Sequence, residues 1–203
     1  MILKIRSYIW RIKVNREKTI EVIKECLPAA RFKHSLAVAV TAEKLAWKEG
    51  LAVDKAYLAG LLHDYAKGYS EEELKRLARI SSWYIDQEEM SIYQLLHAPV
   101  AAYLVEKELG IDDSQILEAI RYHTIGSPDM GKLAVIIYIA DFIEPSRDFS
   151  GIDKIRKEVD QGLDYGILAI TNHILRYHLD HNRVIHPNTL ALRNAYLRRI
   201  YDE

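Results

Sequence analysis

Apolar residues along the chain recur at helical rather than strand spacing. Over residues 17–27, Ile20, Ile23 and Leu27 share one face, and residues 31–49 run without Gly or Pro until Gly50 supplies a stop. Asp54 can cap a helix through Leu58, Leu61 and Leu62 that ends near Gly68, and Ser70 with Glu73 forms a capping-box pattern ahead of Leu74, Leu77 and Ala78. Pro99 suits the first turn of a helix carrying Val100, Leu104, Val105 and Leu109, with Gly110 closing it. Asp112 with Gln115 marks the start of a helix over 116–123. Asp129 can cap the segment 130–144, whose apolar residues surround the helix axis; that pattern belongs to a buried central helix, and Pro145 ends it. The remainder reads as helical pieces from Ile152 to about Asp180 and a last helix from an Asn188 cap to Tyr201. No Asn-Gly or Asp-Gly dipeptide separates alternating runs, and only the alternation of Leu3 and Ile5 offers a strand. The prediction is a single all-α helical bundle over residues 17–203, preceded by an extension of residues 1–16.

Composition agrees. The 203 residues are 49% apolar and 28% charged, with nine Gly and five Pro, which excludes disordered and collagen-like classes. One cysteine, Cys26, cannot form an intrachain disulfide, so a disulfide-stapled secreted scaffold is excluded and a cytoplasmic location is expected. No apolar run is long enough for a membrane span. Net charge is −1, but Lys4, Arg6, Arg11, Lys13 and Arg16 stand without an acid in the extension, leaving −6 for residues 17–203. These charges also interrupt every apolar run there, unlike a secretory signal. The extension is either an element packed on the domain, a start-site artefact, or a tether for a membrane surface or RNA.

Candidate chemistry lies in the histidines and their neighbouring carboxylates. His34, His63, Asp64, His97, His123 and Asp141 each sit in or at the end of an apolar helical stretch, and burying six ionisable groups without partners is costly enough to require a shared explanation. A metal ion is the economical one. Asp141 interrupts the most apolar segment of the chain, where it needs a metal, a cap or an Arg as partner. His63 and Asp64 are adjacent, so they face one ligand only if their helix is ending there. Mixed imidazole and carboxylate donors suit Fe, Mn, Zn, Ni or Co, and the lack of a second cysteine argues against thiolate sites.

The segments Arg31-Phe-Lys-His34-Ser, Ala59-Gly-Leu-Leu-His63-Asp64-Tyr-Ala-Lys67, Leu96-His97-Ala-Pro99, Tyr122-His123-Thr-Ile-Gly126 and Ile139-Ala-Asp141-Phe-Ile-Glu-Pro145-Ser-Arg147 resemble the HD superfamily of metal-dependent phosphohydrolases. Within it they resemble the YqeK family of bacterial symmetrical diadenosine tetraphosphate hydrolases, over about residues 31–194. The resemblance implies an all-α HD domain with His34, His63, Asp64 and Asp141 on one metal, and His97 and His123 on a second metal or on phosphate. It implies iron, one or two ions, with Mn, Co, Ni or Zn as substitutes. Water activated by metal would attack one phosphorus, aligned by Asp64, while Lys67 and Arg147 stabilise the spreading charge and His97 and His123 assist. Substrate contacts are implied for Arg31, His34, His63, Lys67, Gly68, Tyr69, Ser70, His97, His123, Asp141, Phe142, Arg147, His186, Pro187, Asn188 and Thr189. The implied partners are a dinucleoside polyphosphate substrate and an ADP or GDP-like product; no DNA is expected, and a homodimer is left open. The alternatives are an HD phosphohydrolase of another nucleotide, or a nucleotide-sensing or RNA-interacting module with little turnover.

Other features read as structural. Residues 126–132 imitate a phosphate-binding loop, but Leu133 stands where Ser or Thr should hold magnesium, and no strand precedes it. His173, His178 and His181 have no metal-ligand arrangement, Cys26 reads as packing, and Trp10, Trp47 and Trp83 are too scattered to stack bases.

Overall fold

The computed structural model describes residues 16–201; the extension up to residue 15, and with it the strand reading and the tether reading, lies outside the described residues. Eleven α-helices and one 3₁₀ turn follow in order among them, with no strand: α1 (Arg16–Cys26), α2 (Ala29–Lys48), α3 (Val53–Leu62), α4 (Glu71–Ile80), α5 (Gln87–Ser91), the 3₁₀ turn Tyr93–Leu95, α6 (His97–Leu109), α7 (Ser114–Tyr122), α8 (Lys132–Ile143), α9 (Ile152–Gln161), α10 (Leu163–Asp180) and α11 (Pro187–Tyr201). Helix α8 occupies the centre, buried from Leu133 through Ala140, and packs against α2, α3, α7, α9 and α10. Its all-round apolar pattern is thus explained: it has neighbours on every side.

The α2–α3 contact is the most extensive among the described residues and depends on Gly60. A Cβ at Gly60 would stand 2.9 Å from the Ala39 Cα and 3.1 Å from its nitrogen, so only glycine lets the two backbones meet. Gly60→Ala is expected to destabilise the protein by about 1–3 kcal/mol, since backbone cannot yield as a side chain can. Urea unfolding measures this, and an unchanged midpoint would contradict the close approach. Because α2 carries His34 and α3 ends at His63, the contact also sets the spacing of two candidate ligands.

Several boundaries differ from expectation. Helix α3 starts after Ala52 with no side-chain cap and with Asp54 in its first turn, and α7 is capped by Asp113, not Asp112, the Asp113 carboxylate accepting from the Gln115 and Ile116 amides. Helix α8 starts at Lys132 after Gly131, with no side-chain cap from Asp129. The helical pieces expected from Ile152 to about Asp180 are two, parted at Gly162, where φ 155° and ψ 158° leave the helical region. Pro187 opens α11, placing Asn188 within its first turn. Cys26 is exposed, because Ile23 and Leu27 take the buried positions at that end of α1. The Ser70–Glu73 capping box forms as expected, and Gly110 closes α6.

Candidate metal centre

Six ligand-type side chains reach one place from five backbone segments. His34 comes from α2 and Asp141 from α8. His63 stands at the C-cap of α3, so the helix is ending there and Asp64, in the following turn, faces the same space. His97 is the first residue of α6, and His123 is the C-cap of α7.

Ring orientation follows from hydrogen bonds made behind the site. The carbonyls of Gly60, Gln94 and Ile120 accept from Nδ1 of His63 (2.7 Å), His97 (2.6 Å) and His123 (2.8 Å), in each case three residues upstream. A carbonyl only accepts, so each Nδ1 carries a proton and Nε2 is the ring atom each presents to the centre. Burial lowers the pKa of His97 and drives that of His123 well down, which keeps both neutral. Nε2 of His63 is buried without a hydrogen-bond partner, and Nε2 of His97 and His123 face each other at 3.0 Å. Lone pairs converging in this way call for a cation between them, and orientation of imidazole ligands by a second hydrogen bond is the usual support of a metal site. The donor set therefore fits a divalent metal.

The carboxylates complete two overlapping groups, His34–His63–Asp141 and His63–Asp64–His123, each with its ligand atoms within 4.8 Å of one another. Asp64 joins them. Its Oδ2 lies 3.6 Å from His63 Nε2, while Oδ1 lies 3.3 Å from His97 Nε2 and 3.7 Å from His123 Nε2. Asp64 stays ionised in this buried setting, its pKa lying well below the usual carboxylate range although burial by itself raises it. Asp141 likewise stays ionised against burial, beside His34 (3.0 Å) and Arg147 (2.6 Å).

Above this floor opens a cavity of about 290 Å³. Arg31, Lys67 and Arg147 supply its positive charge. Arg31 Nη1 reaches Asp64 at 3.2 Å, Lys67 Nζ reaches His97 Nε2 at 3.1 Å, and Arg147 Nε donates to the Asp141 carbonyl at 2.8 Å. Burial lowers the Lys67 pKa. Thr124, Tyr138, Phe142 and Ile174 are the uncharged residues of its lining.

Other expected substrate contacts fall outside the wall of this cavity. Ser70 caps α4, Gly68 is exposed, and Tyr69 is half-buried with its pKa pushed up to about 12 by burial. His186 is buried, accepting the Asn188 amide at Nδ1 (3.1 Å) and donating from Nε2 to Asp86 (3.0 Å); Asn188 Nδ2 donates to the Gly126 carbonyl. Pro187 is exposed and Thr189 buried in α11. The segment thus braces α5 and the turn after His123. Among the structural readings, residues 126–132 form no strand-linked phosphate loop, and His173 lies against Phe142 and Phe149.

Glu144, Thr124, Glu89 and Arg121 were among the residues missed. Glu144 is fully buried and accepts from His34 Nδ1 at 3.1 Å; its position three residues after Asp141, on the same helical face, was the available signal. Glu144→Ala is expected to weaken metal binding about 10–100-fold, read by competition with a chromogenic chelator, and unaltered affinity would remove Glu144 from this role. Thr124 Oγ1 stands 3.1 Å from His123 Nε2. Glu89 and Arg121 form a buried ion pair at 2.7 Å that ties α5 to α7, two residues before His123.

Comparisons agree with this geometry. The family model for the HD domain matches residues 31–146. The chain is 39% identical to a symmetrical bis(5'-nucleosyl)-tetraphosphatase of Halalkalibacterium halodurans, over 91% of this chain and 98% of that protein. It is 37% identical to the protein of the same name from Bacillus subtilis, over 89% and 97%. A crystal structure from Clostridium acetobutylicum, described as a predicted HD superfamily hydrolase involved in NAD metabolism, superimposes with a TM-score of 0.87 at 35% identity, covering 94% of this chain and 99% of that one.

Proposed function

Since the chain belongs to the HD-domain family and, within it, to the family of symmetrical bis(5'-nucleosyl)-tetraphosphatases, we propose that it hydrolyses diadenosine tetraphosphate between its two central phosphates, releasing two ADP. The observation that carries this reading is the convergence of neutral imidazole lone pairs and two ionised carboxylates beneath a cavity with three cationic side chains. His34, His63, Asp64 and Asp141 would hold one divalent metal, with His97 and His123 on a second metal or on phosphate. Iron is the proposed occupant, and Mn, Co, Ni or Zn the substitutes. When bound, such a metal supplies a water of lowered pKa and neutralises phosphate charge.

The chain's own residues do the rest. Asp64, ionised and accepting from Arg31 at Oδ2, would orient the attacking water. Arg31, Lys67 and Arg147 now hold Asp64, His97 and Asp141; a polyphosphate in the cavity offers them oxygens of higher charge density, and they hold its phosphates in line while negative charge spreads.

A nucleotide panel tests this reading. Diadenosine tetraphosphate is expected to exceed ATP, GTP and NAD in kcat/KM by about tenfold or more, with turnover on the order of 1 per second. A mononucleotide or NAD as the better substrate would favour the reading as a phosphohydrolase of another nucleotide, for which the description of the Clostridium acetobutylicum protein speaks. Retention of RNA on filters with negligible turnover would favour the sensing module.

A further inference from the structure

Tyr138 lies one helical turn before Asp141 on α8 and is one of the uncharged residues lining the cavity. It is 3% exposed, and its hydroxyl has no hydrogen-bond partner among the described residues. A buried hydroxyl left unpaired costs about 1–3 kcal/mol, so a phenylalanine would serve the fold better. Burial, reinforced by the Asp141 carboxylate, pushes the phenol pKa up and keeps the proton on the oxygen as a donor. The ring is held in place from behind by the turn after His123. Gly126, at φ +67°, brings its backbone so near that a Cβ there would lie 3.4 Å from Tyr138 Cε2 and 2.4 Å from a Leu192 methyl.

The other hydroxyl of this lining is already committed, since Thr124 Oγ1 stands 3.1 Å from His123 Nε2 and 3.3 Å from His97 Nε2. Phe142 and Ile174 offer no hydrogen bond. Tyr138 is therefore the uncharged donor of the lining that no neighbour engages among the described residues, beside the cations Arg31, Lys67 and Arg147. A ligand with a polyanionic middle and uncharged ends divides itself accordingly, phosphates to the cations and nucleoside to the uncharged residues.

We propose that the Tyr138 hydroxyl is a specificity-determining donor to the nucleoside half of the substrate, an inference that rests on the hydrolase reading above. The unpaired hydroxyl is then a cost to stability kept for binding.

Tyr138→Phe removes one oxygen and keeps the ring. Metal-loaded wild-type and variant proteins are titrated calorimetrically with ADP and with inorganic pyrophosphate, which carries the phosphates without the nucleoside, and the thermal midpoint of each protein is recorded without ligand. The expected result is a loss of about tenfold in ADP affinity, unchanged pyrophosphate affinity, and a midpoint equal to or above wild type. Equal losses on both ligands would move the hydroxyl to the phosphates, a lowered midpoint would make it a structural group, and undiminished ADP affinity would leave it no role in binding; each overturns the inference. If wild-type protein binds ADP, these outcomes concern Tyr138 alone. Wild-type protein that binds no ADP overturns the hydrolase reading together with the inference.

Discussion

Asp64→Ala is expected to lower turnover of diadenosine tetraphosphate by about a thousandfold or more, because several kcal/mol of metal-derived stabilisation corresponds to that factor. Asp64 is the one carboxylate that meets both halves of the cluster, with His63 on one oxygen and His97 and His123 on the other. Its loss leaves the imidazole lone pairs converging without the negative charge that offsets a divalent ion, so metal content is expected to fall with activity. The helical circular dichroism should persist, since Asp64 lies in a turn after α3 and caps no helix. Elemental analysis beside the kinetic assay checks this, and retained activity would remove Asp64 from the proposed role.

Glu89→Ala is expected to cost about 3–5 kcal/mol of stability, as removal of one partner from a buried ion pair leaves an uncompensated charge. The pair is enclosed, with side chains 3% and 1% exposed, and Arg121 Nη2 also donates to the Tyr84 carbonyl at 2.8 Å. The double variant Glu89→Leu, Arg121→Met is expected to recover much of the loss, because it removes both charges and keeps apolar volume. Equilibrium urea unfolding of the single and double variants measures this. A single-variant loss under about 1 kcal/mol, the range of an exposed pair, would contradict the account of burial. Because Arg121 stands two residues before His123, the single variant should also lose activity at temperatures where it remains folded.

What the sequence made legible divides along physical lines. Helical periodicity reports which face is buried, and it located most helices, above all α8, whose all-apolar pattern signals central burial. Helix starts were less legible. Asp112 and Asp113 are adjacent carboxylates, and only backbone geometry decides which of them meets the Gln115 amide. At α8 no side chain caps the start at all, so Asp129 was a plausible but idle candidate. Gly162 breaks a stretch whose apolar spacing continues on both sides.

The site was legible as residue types in apolar surroundings, and their convergence required the fold. Sequence spacing said that His63 and Asp64 could share a ligand only at a helix end, and α3 does end there. The tautomer argument, by contrast, depends on carbonyls whose hydrogen bonds no residue pattern displays. Glu89 and Arg121 are 32 residues apart and meet only through tertiary packing, although Asp86 with Glu89 carried the same capping-box signature as Ser70 with Glu73. Tyr138 escaped notice because in an apolar helix an aromatic residue reads as core; its unpaired hydroxyl is a property of the packed wall alone.

The most direct measurement is anaerobic incubation of the protein with diadenosine tetraphosphate and ferrous iron, with and without a chelator, followed by chromatographic identification of the products. ADP as sole product, lost on chelation and restored by metal, is the expected result of central cleavage at the His–Asp cluster. ATP plus AMP would contradict symmetrical cleavage, and ADP formation indifferent to the chelator would contradict the metal centre.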